Sequence, residues 1–217
     1  MLWRIIVCLV CGYGLGCIST GYIVGKMNHI DIRDYGSGNI GTTNTLRTLG
    51  KKAGAITYIG DAFKALIPML LVRYVIFKDL PYADLLQLSC GLGVVLGHNF
   101  PFWLKFKGGK GIAVTSGVMA AYAPLGIPLY IIAFAVTVAI TKYVSVGSLV
   151  LATIFPIWIA ITKHGDPYYV HTLVVALIFM ASAFYRHKEN LIRIKNGNEN
   201  KIGQRVKLNV EEKKEEE

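Results

Sequence analysis

The chain has 217 residues, 53% of them hydrophobic and 17% charged, with a formal net charge of +10 and a mean hydropathy of +0.48. Soluble domains carry roughly a quarter charged residues, so the composition excludes an ordinary soluble enzyme and favours one membrane-embedded domain. The basic excess admits nucleic acid, an anionic membrane face or an anionic substrate. Among apolar spans, whose cytoplasmic loops collect Lys and Arg, the last two are favoured and no nucleic-acid partner is expected.

Apolar segments run over residues 2–24, 53–77, 85–104, 112–140, 144–162 and 168–185. At 1.5 Å per residue, roughly 20 residues cross the hydrocarbon. The first segment is too long for a signal h-region and lacks a basic start, so it reads as a retained transmembrane helix. It holds Cys8, Cys11 and Cys17. The C-x₂-C spacing has no matching pair downstream, and thiols in apolar helices behave as small hydrophobes, so no metal site is expected. The segment 53–77 contains Asp61 and Lys64, one helical turn apart. Charges at membrane depth face a partner or a wet cavity. The pair reads either as a cavity wall or as a mutually neutralising brace, and the brace is the simpler account.

The segment 112–140 is long and carries Pro124 and Pro128. Proline removes a helix hydrogen bond and clashes with the preceding turn, which predicts a break there. The expected fold is therefore an all-α integral membrane bundle of about seven transmembrane helices. Base-rich stretches at 26–52, 105–110 and 186–207 belong on one side, and the positive-inside rule puts that side in the cytoplasm. The N-terminus is then outside and the C-terminus cytoplasmic, with the loop at 142–148 beside the other basic loops. A membrane domain over 1–203 is expected, followed by a charged, disordered tail at 204–217, rich in Glu and Lys.

Two glycine-rich, basic loops carry the chemistry. The first is Gly36-Ser37-Gly38-Asn39-Ile40-Gly41-Thr42-Thr43-Asn44 with Arg47, and the second is Lys105-Phe106-Lys107-Gly108-Gly109-Lys110-Gly111. Glycine lets the main chain approach an anion, small polar side chains donate hydrogen bonds, and Lys or Arg neutralises the charge. The first loop matches G-x-G-x-x-G, but no strand precedes it and a dinucleotide-binding domain is rejected. The second is no Walker loop: Leu104 holds the place of the upstream glycine, and no Ser or Thr follows the lysine. His29 and Asp34 fit an H-x₄-D acyltransferase spacing, a pattern too short to carry an assignment. His187 and Asn190 share one helix face at i, i+3, at a cytoplasmic boundary.

The ordered set resembles the bacterial acyl-phosphate:glycerol-3-phosphate acyltransferase family, the PlsY type, from about residue 10 to Gly203. The carrying residues are Gly36–Asn44 with Arg47, Gly97-His98-Asn99-Phe100-Pro101 leading into Phe106–Gly111, Lys142-Tyr143-Val144-Ser145 with Ser148, and Tyr185-Arg186-His187-Lys188-Glu189-Asn190. The resemblance implies transfer of a fatty acyl group from acyl phosphate to the 1-hydroxyl of glycerol 3-phosphate. The products would be lysophosphatidic acid and inorganic phosphate, made without a cofactor by a multi-pass enzyme of the bacterial cell membrane. It also implies a site in which Ser37, Lys110 and His187 are catalytic. Gly38, Asn39, Thr43, Asn44, Arg47, Lys107, Gly108, Gly109, Gly111, Ser145, Ser148 and Asn190 would bind substrate. The H-x₄-D pair is not part of the family pattern. Ile40 and Thr42 depart from it, standing where the family often has proline or valine and alanine. The rival reading is a small membrane transporter of phosphate esters or anions, which predicts an inverted repeat and a site at the midplane.

Overall fold

A computed structural model describes residues 1–204, and no β-strand occurs among them. The expected tail at 204–217 lies, but for its first residue, outside the described residues. The helices are α1 (Leu2–Gly16), α2 (Thr20–Met27), α3 (Thr42–Leu49), α4 (Lys51–Leu71), α5 (Ala83–Asn99), α6 (Ile112–Tyr122), α7 (Ile127–Thr141), α8 (Val144–Thr162), α9 (Tyr169–Arg186) and α10 (Lys188–Lys195). Six stretches are long and apolar enough to cross a membrane among the described residues: Leu2–Met27, Lys51–Ile76, Ala83–Leu104, Pro124–Thr141, Val144–Thr162 and Tyr169–Arg186. The anticipated break falls at Ala123, where the backbone leaves the helix before Pro124. It divides the long apolar segment into α7 and the 11-residue α6, which at 1.5 Å per residue is about 17 Å long.

Cross-links fix the directions of these helices. Gln87 near the start of α5 donates to the carbonyl of Ala121 near the end of α6. Asp84 pairs with Arg73 and with Lys163, tying the end of α4 and the end of α8 to the start of α5. Arg4 donates to the Tyr82 hydroxyl at 2.7 Å, so the N-terminus lies at this same end. At the other end, the Ile202 amide donates to the carbonyl of Lys142 at 2.8 Å. The chain therefore alternates in direction through α1–α2, α4, α5, α6, α7, α8 and α9, and the 26–52, 100–111, 142–143 and 187–204 segments gather at one end.

At the centre is α5, buried along nearly its whole length. It meets α1 backbone to backbone: a Cβ on Gly97 would stand 2.1 Å from the Tyr13 carbonyl oxygen, and one on Gly93 would stand 2.3 Å from that of Leu9. Around α5 pack Ala65 and Met69 of α4, Val114 and Val118 of α6, Phe155 and Ile159 of α8, and Ala176 and Phe179 of α9. The outward faces keep large apolar side chains exposed, among them Leu2, Val10, Phe63, Ile131, Ile140, Ile161 and Val170, the surface a lipid solvent requires. The base-rich stretch 26–52, anticipated as a loop, contains the short helix α3. Its buried face carries Asn44, Thr45 and Thr48, so polar packing rather than apolar periodicity forms it.

A side chain at Gly97 cannot fit, whereas Gly14 faces open space. Gly97→Val should separate α1 from α5 at a cost of about 1–3 kcal/mol or more. Thermal unfolding of the detergent-solubilised protein should show this as a lowered midpoint, with Gly14→Val close to wild type.

Candidate active site

A cavity of about 600 Å³ opens where the loops gather, walled by the 37–47 segment, the end of the 105–111 loop, the starts of α6 and α8, α10 and residues 199–204. Two helices begin at its wall, α3 after Gly41 and α6 after Gly111, and their unsatisfied N–H ends favour an anion there. Arg47, Lys51, Lys110 and Arg193 line it against the carboxylates Asp61 and Glu199.

Asn44 shapes the first loop. Its Nδ2 donates to the carbonyls of Ile32 (3.1 Å) and Tyr35 (2.9 Å), and its Oδ1 accepts from the Ser37 amide at 2.9 Å. Asn39 accepts from the Gly41 amide at 2.9 Å, and Gly36 and Gly38 supply the left-handed turns. The loop therefore holds its shape by its own bonds, with Ser37, Asn39 and Thr43 at the cavity wall. Thr42 lines the cavity as well, with a buried hydroxyl that has no partner among the described residues.

The second loop is held by α9. Arg186 donates through Nε to the Gly109 carbonyl at 2.9 Å and through NH2 to the Gly108 carbonyl at 2.8 Å. The amides of Gly108 and Gly109 donate to the carbonyls of Asn99 (3.2 Å) and His98 (2.9 Å). Both glycines are thus occupied on each side, and neither lines the cavity. A Cβ on Gly109 would stand 1.9 Å from His98 Nε2, so glycine is needed here for close packing, not as a cradle for phosphate. Lys107 is exposed and Gly38 lies off the wall. Lys110 and Gly111 do line it.

A chain of polar contacts starts at Lys110. Its Nζ donates to Asn190 Oδ1 at 2.5 Å. Asn190 Nδ2 donates to Glu199 Oε1 at 2.6 Å, the Ser145 hydroxyl donates to the same oxygen at 2.9 Å, and Arg193 Nε donates to Oε2 at 2.8 Å. Burial alone would raise the Glu199 carboxyl, but the bonds from Asn190, Arg193 and Ser145 outweigh it and hold its pKa below the usual value. Arg47 donates to the Asn200 carbonyl at 3.3 Å, and burial lowers its pKa. Burial first, then nearby Arg193, lowers Lys110 to about 8. Ser148 lines the cavity with its hydroxyl donated to the Val144 carbonyl at 2.9 Å.

His187 is buried beside Lys110. Its Nδ1 lies 2.8 Å from the Ala183 carbonyl, which can only accept, so Nδ1 carries the proton and Nε2 keeps its lone pair. Burial lowers its pKa to about 4, the bond to the Ala183 carbonyl opposing and the Lys110 charge assisting. The imidazole is therefore neutral near pH 7 and offers an acceptor. Of the predicted site residues the cavity gathers Ser37, Asn39, Thr43, Asn44, Arg47, Lys110, Gly111, Ser145, Ser148, His187 and Asn190. His29 and Asp34 do not reach it. Sequence reasoning missed Glu199 and Arg193 on the wall, because a carboxylate and an arginine in a charged C-terminal stretch look like solvated surface. It also gave no role to Arg186, whose work is done on main-chain atoms.

Six membrane-length helices around a basic, hydroxyl- and amide-lined cavity define a polytopic membrane protein suited to phosphate-bearing ligands. Comparisons narrow the class. Residues 6–197 match the family described as glycerol-3-phosphate acyltransferase, and the chain belongs to that family. It is 43% identical to the glycerol-3-phosphate acyltransferase of Clostridioides difficile (strain 630), over 94% of this chain and 98% of that protein. It is 40% identical to that of Alkaliphilus metalliredigens (strain QYMF), over 92% and 97%. It superposes with a TM-score of 0.81 and 32% identity on the crystal structure of PlsY (YgiH), an integral membrane glycerol 3-phosphate acyltransferase, in its glycerol 3-phosphate form, covering 92% of this chain and 96% of that one. The lysophosphatidic acid form of that protein gives a TM-score of 0.79.

Lys110 is cationic below its pKa and neutral above it. Affinity for a phosphate monoester, measured by calorimetry on the solubilised protein, should fall as pH rises through about 8. Lys110→Arg, which stays charged, should flatten that fall. A fall of equal steepness in both proteins would assign the titration to another group.

Proposed function

We propose that this enzyme transfers a fatty acyl group from acyl phosphate to the 1-hydroxyl of glycerol 3-phosphate, releasing lysophosphatidic acid and inorganic phosphate. One observation carries the reading: Arg47, Lys110 and Arg193 share a single cavity with a histidine whose free nitrogen is an acceptor. Both substrates carry phosphate, so the site must neutralise two anions and hold a hydroxyl against a carbonyl carbon. Arg47, Lys110, Ser37 and the α3 and α6 N-termini are suited to the first task. His187 Nε2 is suited to the second, accepting a hydrogen bond from the attacking hydroxyl.

Acyl phosphate is a mixed anhydride with a good leaving group, so orientation and charge neutralisation suffice and no acyl-enzyme is required. The hydroxyl oxygen attacks the acyl carbon, a C–O ester bond forms, and the C–O bond to phosphate breaks with its electron pair leaving on phosphate. With a pKa of about 4, His187 is a weaker base than a phosphate dianion, whose second pKa is about 6. A phosphate oxygen is therefore the better final proton acceptor, and His187 orients the hydroxyl.

The basic segments at the cavity end support a site facing the cytoplasm of a bacterial cell, with the N-terminus outside. The opening of the cavity among loops at one end of the bundle favours an enzyme drawing on lipid and cytosol over a transporter with a midplane site.

The purified protein given palmitoyl phosphate and glycerol 3-phosphate should release phosphate in step with lysophosphatidic acid, and should make none from palmitoyl-CoA. Lys110→Ala should lower the rate at least about 100-fold. Product from palmitoyl-CoA alone would overturn the choice of donor, and full activity of Lys110→Ala would remove the central phosphate contact.

A further inference from the structure

Deeper than Lys110, three buried polar side chains meet without a part in the chemistry above. Lys64 Nζ lies 2.9 Å from Asp61 Oδ1, 2.6 Å from the Ile18 carbonyl oxygen and 2.9 Å from His98 Nδ1. An ammonium has three donors and no acceptor, so this geometry uses all three. Nδ1 of His98 is then the acceptor nitrogen, and its proton must sit on Nε2. That Nε2 packs against Gly109, next to Lys110, and makes no hydrogen bond among the described residues.

The side chains of Asp61 and His98 are 0% and 3% exposed, yet both reach the cavity wall. Asp61 Oδ2 is a buried carboxylate oxygen without a partner among the described residues. A simple brace would leave no such oxygen, since Lys64 needs only Oδ1. The inner wall thus presents an acceptor and an N–H donor together, the complement of one hydroxyl group. Glycerol 3-phosphate has two hydroxyls, and the transfer proposed above gives the attacking one to His187.

We propose that Asp61 and His98 hold the non-reacting 2-hydroxyl of glycerol 3-phosphate, with Asp61 Oδ2 accepting from its O–H and His98 Nε2–H donating to its oxygen. Lys64 is the positioning residue: it sets the histidine tautomer and turns the free carboxylate oxygen away from itself. A site built to bond a hydroxyl rejects an analogue that lacks it, because its buried polar groups are then left unpaired. The pair makes the enzyme selective for a diol phosphate. This inference rests on the proposed transferase activity.

The test compares glycerol 3-phosphate with 3-hydroxypropyl phosphate, which lacks the middle hydroxyl, as acceptors for the full-length protein at saturating palmitoyl phosphate. Wild type should favour glycerol 3-phosphate in kcat/KM by about 10- to 150-fold, the range for a hydrogen bond to a charged group. In Asp61→Asn, Lys64 fixes the amide oxygen on its own side and leaves an N–H where Oδ2 was. That variant should lose a similar factor with glycerol 3-phosphate and change less than about twofold with 3-hydroxypropyl phosphate, erasing the preference. His98→Gln, which can return an N–H near the Nε2 position, should keep more of the preference than His98→Ala. If Asp61→Asn does not fold, the two His98 variants decide by the same ratio. An equal loss on both acceptors, with wild type active, would overturn the inference and leave the transferase reading intact. A wild type inactive with both acceptors would overturn both.

Discussion

Arg186 is the fastening on which the site depends. A guanidinium at the end of α9 grips two successive carbonyls of the 105–111 loop, while the amides of the same two residues are tied to the end of α5. Hydrogen bonds to a charged donor are worth about 1.5–3 kcal/mol each, more than neutral ones. The clamp joins the central helix, the loop and the last long helix at one level of the bundle. Lys110 follows directly after it, and His187 follows directly after Arg186, so one clamp sets the separation of the two residues on which the proposed chemistry most depends.

The second constraint is the handling of charge in an apolar molecule. Inside the bundle the charged groups are compensated locally: Lys64 by Asp61, and Asp84 by Arg73 and Lys163. Around the cavity the compensation is deliberately incomplete. Glu199 engages Arg193, Asn190 and Ser145, but Lys110 and Arg47 rest on an amide and a main-chain carbonyl. Neutral partners hold a cation in place without cancelling it, which keeps positive potential in the cavity for an anionic ligand. The partial burial that makes this potential strong also lowers the Lys110 pKa towards the working range.

The membrane class and the proline break were legible in the sequence, because apolar length and a proline pair act on the chain locally. The same holds for the grouping of Ser37, Arg47, Lys110, Ser145, His187 and Asn190, whose ordered motifs pointed to a single site. What escaped sequence reasoning depends on distant partners. Gly108 and Gly109 looked like a phosphate cradle because a sequence cannot show that both their amides and both their carbonyls are already taken. Glu199 looked solvated because Ser145 and Arg193, which bury it, come from different parts of the chain. Asp61 looked like half of an ion pair because only the cavity reveals its second oxygen. The short helix α3 has too little apolar periodicity to announce itself.

The account stands most directly on the Arg186 clamp, and Arg186→Lys isolates it by keeping the charge while losing the two-pronged grip. The measurement is kcat/KM for glycerol 3-phosphate on folded, detergent-solubilised variant, with acyl phosphate saturating. A fall of about tenfold or more with the helical content preserved is the predicted result, since Lys110 and the loop would lose their register. Wild-type kinetics in the folded variant would contradict the account.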